Sequence, residues 1–273
     1  MSHIEITITT ANQDLQNIII ATLGEINYDG FEQNDDEVKA FILESNFNEA
    51  ELHQALQPYN NLSYTKNTIE QQNWNALWES NFDPVIVDDF VSIRAAFHQP
   101  ITTTQHQIVI TPKMSFGTGH HATTYSVMQL MRDINFNNKT VFDFGSGTGI
   151  LAILAEKLSA VNILAVDYDD WCIENSIENI EQNNCRQIEI VKADTANVER
   201  TFDIVIANIN KNIIQDNFTA LHNCCKANTV VLLSGLLIED ETDILQLAQT
   251  KNWQHIKTIT KGAWIAMQFI ISS

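Results

Sequence analysis

The stretch that decides the fold is Val141-Phe142-Asp143-Phe144-Gly145-Ser146-Gly147-Thr148-Gly149-Ile150. Its apolar start predicts a buried strand, and the glycines after it predict a turn that leads into a helix. Glycine lets a backbone approach a ligand without a Cβ in the way, and the free N–H groups at a helix N-terminus attract a carboxylate. The dinucleotide fingerprint would require a third glycine where Ile150 stands. The pattern therefore favours a nucleoside with an amino-acid tail over a pyrophosphate, with Gly145 and Gly147 as contacts.

Acidic residues follow the next two predicted strands. Asp167 ends the second strand, where a carboxylate can accept hydrogen bonds from both hydroxyls of a ribose. The alternative is that Asp167 only caps the next helix. Asp194 follows the third strand and is a candidate for the adenine amino group, although a turn residue that caps a helix explains it nearly as well.

An asparagine follows the fourth predicted strand, in Ile206-Ala207-Asn208-Ile209. Ligands bind at the carboxyl edge of a parallel sheet, so Asn208 is expected at the site. Its side-chain carbonyl can accept a hydrogen bond from an amine, and a neighbouring backbone carbonyl can accept another. Two such acceptors would aim the nitrogen lone pair at a methyl carbon. The alternative is that Asn208 only caps the following helix.

A second glycine-rich loop lies upstream, Phe116-Gly117-Thr118-Gly119-His120-His121-Ala122-Thr123-Thr124. It precedes a predicted helix over 121–132 and is interpreted as a lid over the ligand. The pair His120-His121 invites a metal interpretation, but no carboxylate or cysteine cluster supports it. No metal is expected.

From residue 140 onward, predicted strands and helices alternate. The strands cover 140–144, 162–167, 188–192, 202–207 and 229–234, and the helices cover 149–158, 170–183 and 212–226. A helix over 239–250 and two antiparallel strands over 255–260 and 263–271 end the chain. This alternation predicts an α/β, Rossmann-like domain with a mostly parallel seven-stranded sheet covered on both faces.

The first seventy residues follow another pattern, β-α-β-β-α-β, which predicts a small α+β domain of the ferredoxin-like type. They hold twelve acidic residues against two lysines, Lys39 and Lys66. We expect three segments: a recognition domain over 1–69, a linker helix over 70–81 with Trp74 and Trp78, and the α/β domain over 82–273. A solvated acidic face without a partner is the alternative for the first segment.

Composition narrows the class of partner. The chain of 273 residues has 34 acidic against 15 basic residues and a formal charge of -19. Such a chain does not attract phosphate backbones, so a basic protein is a better partner than nucleic acid, unless the charge serves only solubility. The start has no secretory pattern and no apolar run is long enough to span a membrane. The four cysteines lack metal spacing and are interpreted as reduced packing residues of a cytoplasmic protein, with Cys224 and Cys225 in a helix.

Five stretches together resemble the bacterial ribosomal protein methyltransferase PrmA family. They are FGTGHHATT (116–124), VFDFGSGTGILAILAEKL (141–158), AVDYDD (165–170), IVIANI (204–209) and LLSGLL (232–237). The resemblance implies a class I methyltransferase that uses S-adenosylmethionine to methylate lysine and/or N-terminal amino groups of large-subunit ribosomal protein eleven. It also implies a ferredoxin-like substrate-recognition domain, and it places cofactor contacts at Thr124, Gly145, Asp167 and Asn208.

The expected mechanism is in-line attack of a neutral amine on the sulfonium methyl. A lysine with pKa near 10.4 is only about 0.1% neutral at pH 7, so proton loss must precede each transfer. The sequence identifies no general base, and a monomer is expected. Two other functions stay open: a methyltransferase for a different protein or a small-molecule amine, and a cofactor-binding module without catalysis. Asn208 argues against the latter, since a binding module needs no amine acceptor.

Overall fold

The structure, a computed structural model, describes residues 2–59, 62–69, 82–113 and 117–272. The predicted linker helix over 70–81, with Trp74 and Trp78, lies outside these residues, as does Phe116. Contacts within the chain divide it into two units, Met1–Asn81 and Phe82–Ser273. Within the described ranges, no helix combines the length and apolarity needed to cross a membrane.

The first unit is a four-stranded sheet with two helices. Its elements are β1 (His3–Thr9), α1 (Gln13–Gly24), β2 (Gly30–Gln33), β3 (Glu37–Leu43), α2 (Glu49–Leu56) and β4 (Tyr64–Ile69). The strand order is β2-β3-β1-β4 and the paired strands are antiparallel. Ile4, Ile6 and Ile8 alternate along β1 and are all buried. Because alternate residues of a strand face one side, these three form the centre of this unit's core.

The second unit begins with a small sheet. Three short strands, β5 (Val85–Val87), β6 (Val91–Ala95) and β7 (His106–Ile110), form it in that order. Helix α3 (Ala122–Arg132) follows, with His121 as its N-cap.

A seven-stranded sheet dominates the second unit, in the order β10-β9-β8-β11-β12-β14-β13. Its strands are β8 (Val141–Phe144), β9 (Ile163–Asp167), β10 (Ile188–Lys192), β11 (Phe202–Asn208), β12 (Cys225–Leu237), β13 (Trp253–Lys261) and β14 (Trp264–Ile271). Its helices are α4 (Ile150–Lys157), α5 (Asp170–Gln182), α6 (Lys211–Asn223) and α7 (Glu241–Thr250). Strands β8 to β12 run parallel, β14 pairs antiparallel with β12, and β13 pairs antiparallel with β14. The predicted Rossmann-like sheet is confirmed.

Both faces of this sheet are covered. Val141 of β8 belongs to a core cluster shared with α3 and α4, whereas its neighbour Phe142 belongs to a second cluster shared with α6 and α7. Successive strand residues point to opposite faces, so one strand supplies both cores.

The prediction that Cys224 and Cys225 lie in a helix is wrong. Helix α6 ends at Asn223, and Cys225 already belongs to β12, where it pairs with Phe202 of β11. Local apolar spacing continued the helix, but pairing across the sheet ends it. No disulfide joins the four cysteines, all of which are among the described residues, and burial raises the pKa of Cys225 to about 12.

Candidate functional site

A cavity of about 980 Å³ opens at the carboxyl ends of the parallel strands. After β8 the chain builds outward through β9 and β10, and it returns to the other side of β8 with β11 and β12. The point between β8 and β11 is therefore the topological switch point, where open α/β sheets bind ligands. The cavity's size is at the upper end of the usual range for small-molecule sites, roughly 300–1,000 Å³.

The glycine-rich turn after β8 forms one wall of this cavity. Gly145, Gly147 and Gly149 have φ values of 75°, 55° and 77°, a region that side chains with a Cβ rarely adopt. Gly145 and Gly147 line the cavity, as predicted, and Gly149 is the N-cap of α4 without a side chain to cap it. The turn thus presents bare backbone to the cavity.

Asp167 is tied directly to that turn. Its Oδ2 accepts a hydrogen bond from the Gly147 N–H at 2.8 Å, and its Oδ1 accepts one from the Asp169 N–H at 3.1 Å. The N-cap of α5 is Asp169, which accepts from the Trp171 N–H, so helix capping does not explain Asp167. A carboxylate has about four lone-pair sites, so Asp167 keeps two for a ligand.

Asn208 ends β11 at the opposite wall. Its side-chain N–H donates to Thr124 Oγ1 at 3.1 Å, and both residues are buried. The Asn208 side-chain oxygen is also buried and accepts no hydrogen bond from any described residue. The N-cap of α6 is Asn210, not Asn208, so the capping alternative is wrong here too. Thr124 does not line the cavity but holds the Asn208 amide through this hydrogen bond.

The two histidines of the second glycine-rich loop point to different surroundings. His121 lines the cavity and packs edge-on against Trp264, with ring centroids 4.7 Å apart. His120 donates through Nε2 to the Asp83 carbonyl at 2.8 Å. In the described ranges, no group of three or more His, Cys, Asp or Glu side chains is arranged to hold a metal. The loop joins the first glycine turn, because Thr148 Oγ1 donates to the Gly117 carbonyl at 2.6 Å.

The structure does not bring Asp194 to the cavity. It lies exposed after β10 and is not among the lining residues. The other five predicted contacts gather at the switch point, four of them in the cavity lining and Thr124 behind Asn208.

Several lining residues escaped the sequence analysis. Tyr168 and Trp171 are 68% and 74% exposed at the cavity, although they are large and aromatic. Two aromatic residues in the polar stretch after Asp167 were the signal that could have identified them. Gly235 and Trp264 also line the cavity. A glycine inside an apolar strand indicates a bulge or a close approach of another backbone, which applies to Gly235.

A buried carboxyl lies beneath the glycine turn. Burial raises the pKa of Asp143 to about 7; the Ala152 N–H, in the first turn of α4, lowers it, and the charge of Asp167 raises it further. Neither Asp143 oxygen has a hydrogen-bond partner of good geometry among the described residues. Asp143 therefore changes charge near neutral pH.

Helix α5 carries buried asparagines that were also missed. Asn179 accepts from the Thr111 N–H at 2.8 Å and donates to the Thr148 carbonyl at 2.9 Å. Asn175 donates to the Thr111 carbonyl, and Asn183, just after the helix, exchanges two hydrogen bonds with the Val109 backbone. These side chains hydrogen-bond to the backbone at the free edge of β7 and at Thr111, the residue just after it. Their spacing of four residues was the signal, since it places them on one helix face.

The sheet order and the glycine turn with its acid at the switch point define a class of protein: the class I S-adenosylmethionine-dependent methyltransferases. A methyltransferase from Pyrococcus furiosus shares the fold, with a TM-score of 0.51, 17% identity, and coverage of 61% of this chain and 90% of that one. The model of the ribosomal protein L11 methyltransferase (PrmA) family matches residues 5–271, and this chain belongs to that family. It is an enzyme of the methyltransferase class.

Curated relatives span the whole chain. A ribosomal protein L11 methyltransferase from Phocaeicola vulgatus is 34% identical over 99% of this chain and 100% of its own length. Another, from Porphyromonas gingivalis, is 35% identical over 97% of this chain and 92% of its own. The crystal structure of a ribosomal protein L11 methylase from Lactobacillus delbrueckii subsp. bulgaricus matches with a TM-score of 0.65 and 28% identity. It covers 70% of this chain and all of that chain.

Proposed function

We propose that this enzyme transfers methyl groups from S-adenosylmethionine to lysine and/or N-terminal amino groups of ribosomal protein L11. Family membership supports the substrate. The single observation that carries the chemistry is the buried, unpartnered side-chain oxygen of Asn208 at the switch-point cavity. An acceptor in that position would be costly without a donor, and a substrate amine supplies one.

The lining residues fit the cofactor. Gly145 and Gly147 leave room for a ligand against the backbone, and the start of α4 offers N–H groups to its carboxylate. Asp167 has two lone-pair sites left for the ribose hydroxyls. When bound, the cofactor supplies a methyl group on a positively charged sulfur. Asp194, exposed and outside the lining, has no part in this proposal.

The amine is oriented by two acceptors. Asn208 Oδ1 accepts one N–H of the neutral amine, and the carbonyl of Ile209, the next lining residue, accepts the other. The remaining lone pair then points at the methyl carbon. Held by Gly145, Gly147 and Asp167, the cofactor would supply its methyl group to the amine nitrogen, and the electron pair of the C–S bond would stay on sulfur. The product ammonium loses its proton to water before another methyl group can be added.

Thr124 and Asn208 act as a pair in this mechanism. In the structure one N–H of the amide donates to Thr124, and the side-chain oxygen has no partner among the described residues, so it is left for a donor on the substrate. An amide rotated by half a turn would offer a donor to an amine whose lone pair must stay free. In the orientation that the structure shows, the contact with Thr124 holds the acceptor in position for the amine.

We further infer that residues 1–69 form a ferredoxin-like domain that recognises the basic substrate. Its only two lysines, Lys39 and Lys66, are already paired with Glu37 and Glu49. The remaining acidic side chains present a negative surface that complements a basic ribosomal protein. We also propose that the enzyme is a monomer in the cytoplasm, where the substrate is made. It makes no direct contact with nucleic acid in this proposal.

Labelled cofactor tests this function. The purified enzyme is incubated with methyl-labelled S-adenosylmethionine and an extract of cells that lack it. We expect label in one protein band that comigrates with ribosomal protein L11, and none when Asn208→Ala replaces the enzyme. Label confined to the small-molecule fraction, or to a different protein, would overturn the proposed substrate.

A further inference from the structure

The peptide after Asn208 lies between two glycines. On one side, a Cβ added to Gly145 would lie 2.9 Å from Ile209 Cδ1. On the other side, a Cβ added to Gly235 would lie 2.3 Å from the carbonyl oxygen of Ile209, 2.6 Å from its carbonyl carbon and 2.9 Å from its nitrogen. The Gly145 contact is with the end of a flexible side chain, whereas the Gly235 contact is with backbone.

The geometry of β12 produces this close approach. Asn208 pairs with Ser234 in parallel register, and the Ile209 N–H donates to the Ser234 carbonyl at 3.1 Å. Immediately afterwards, the register between β12 and β14 shifts between Ser234 and Leu236, and Gly235 has a φ of 82°. This bulge turns the bare Cα of Gly235 toward the Ile209 peptide.

The contact is at the site and not elsewhere in the core. Gly235, Ile209 and Asn208 all line the cavity. Real Cβ atoms essentially never come as close as 2.3 Å to another heavy atom, so any side chain at position 235 requires the Ile209 peptide and β12 to move apart. That displacement would turn the carbonyl that the proposed function uses as the second acceptor for the amine.

We propose that Gly235 is a positioning residue for methyl transfer, whose lack of a side chain holds the Ile209 carbonyl in the direction that the substrate amine requires. The proposal rests on the proposed function. It assigns Gly235 no contact with the reacting atoms: it acts through the peptide against which it packs. Misplacing an orienting group by about 1 Å can cost on the order of 10²-fold in rate.

The chain offers a matched control. Gly262 also has a positive φ, 62°, but a Cβ added there would meet nothing within 4 Å. Gly235→Ala and Gly262→Ala therefore both place a Cβ at a positive φ, and only the first adds a collision with Ile209. Three quantities are measured for each full-length variant: cofactor affinity by calorimetry, KM for ribosomal protein L11, and the single-turnover rate at saturating cofactor and substrate.

We expect Gly235→Ala to bind cofactor like the unchanged enzyme, with a similar KM and a single-turnover rate lower by on the order of 10²-fold. Gly262→Ala should match the unchanged enzyme in all three. Equal rates for the two variants, or a loss in Gly235→Ala that appears in KM and not in the rate, would overturn the positioning role. If Gly235→Ala misfolds and loses cofactor binding, Ile209→Gly provides the test, because it gives the same peptide more freedom to move. A lower single-turnover rate of Ile209→Gly would support the proposal, and an unchanged rate would overturn it. An inactive unchanged enzyme would instead refute the proposed function and this role with it.

Discussion

At the residue scale, the site depends on a few polar side chains whose partners are already chosen before a substrate arrives. Asp167 accepts one hydrogen bond from Gly147 in the glycine turn and one from Asp169 at the start of α5, and Asn208 donates one N–H to Thr124. Asp167 keeps two lone-pair sites, which suit the hydroxyls of a ribose. Asn208 keeps a buried amide oxygen, which suits an amine. Preorganisation of this kind removes the cost of turning dipoles during the reaction.

The first prediction concerns Asn208. Asn208→Ala should lower the single-turnover rate by roughly 10²-fold, judging by other preorganised groups, and lower cofactor affinity less. The reason is that an orienting contact made mainly in the transition state appears in the rate constant. Single-turnover assays at saturating cofactor measure the rate, and calorimetry measures the cofactor affinity. A normal single-turnover rate would leave the amine-orienting group unidentified.

Thr124 provides the matched pair of variants for this prediction. Thr124→Val removes the acceptor for the Asn208 N–H, so the amide is free to rotate and the rate should fall. Thr124→Ser keeps the hydroxyl and should keep most of the rate. Equal rates in the two variants would show that the contact does not orient Asn208.

The second prediction concerns the pH dependence of stability. The folded-state pKa of Asp143 is about 7, raised from 3.8 by burial. Between these two values the folded protein holds a proton that the unfolded chain has lost, so this residue's contribution to stability falls as pH rises from about 4 to about 7 and is constant above. Asp143→Asn removes this titration. We expect the Tm of Asp143→Asn minus that of the unchanged enzyme to rise across that window; a difference independent of pH would show that Asp143 ionises normally.

How far the sequence predicted the site depends on where each residue lies. Asp167 and Asn208 end buried strands and Gly145 and Gly147 lie in the turn after one, and sheet topology brings such positions together. Thr124 came from family resemblance alone, because its partner is distant in the chain. The role proposed for Gly235 depends on a contact between two strand ends, which no local pattern reveals.

At the element scale, helix α5 connects β7 of the small sheet with the glycine turn that follows β8. One face of it supplies asparagine side chains to the outer edge of β7, where another strand would otherwise pair. An unpaired edge exposes N–H and C=O groups that attract other chains, so the asparagines cover it. Asn179 also donates a hydrogen bond to the Thr148 carbonyl, so the same helix face stabilises the glycine turn.

The third prediction tests this helix face. Asn179→Ala leaves the Thr111 N–H and the Thr148 carbonyl without partners, which should lower the free energy of unfolding by about 2–4 kcal/mol. Glu181→Ala, an exposed change on the same helix, should stay within about 0.5 kcal/mol of the unchanged enzyme. Denaturant unfolding of both variants measures the difference. Equal stabilities would mean that water replaces both hydrogen bonds without loss.

Element boundaries show what the sequence pattern could and could not predict. Strands β8 and β9 were predicted to within one residue, because buried parallel strands form distinct apolar runs. Strand β10, at the edge of the sheet and without a buried residue, was predicted to the residue. The end of α6 was predicted too late. Leu221, Cys224 and Cys225 continue its apolar spacing, and the pairing of Cys225 with Phe202 overrides it.

At the scale of the whole molecule, charge and chemistry are separated along the chain. Residues 1–70 carry twelve of the 34 acidic side chains and two of the 15 basic ones. The residues that line the cavity all lie in the second unit. Each unit has a core of its own. This division suits an enzyme that selects a protein with one part and methylates it with another.

The fourth prediction follows from that division. A chain that begins at Phe82 should still bind S-adenosylmethionine but should fail to methylate ribosomal protein L11, because it lacks the acidic surface that we propose recognises the substrate. For the full-length enzyme, rising salt should raise KM for the protein substrate, since exposed charges are screened, and should leave cofactor affinity nearly unchanged. Methylation of the substrate by the shortened chain at the full rate would contradict the recognition role.

The measurement that tests the central claim most directly is the intact mass of purified ribosomal protein L11 after incubation with the enzyme and S-adenosylmethionine. The account predicts that the substrate gains mass in whole methyl groups and that peptide fragmentation places every group on an amine nitrogen. With Asn208→Ala in place of the enzyme, the gain over the same time should be small. An unchanged mass, with an enzyme that demonstrably binds the cofactor, would contradict the account.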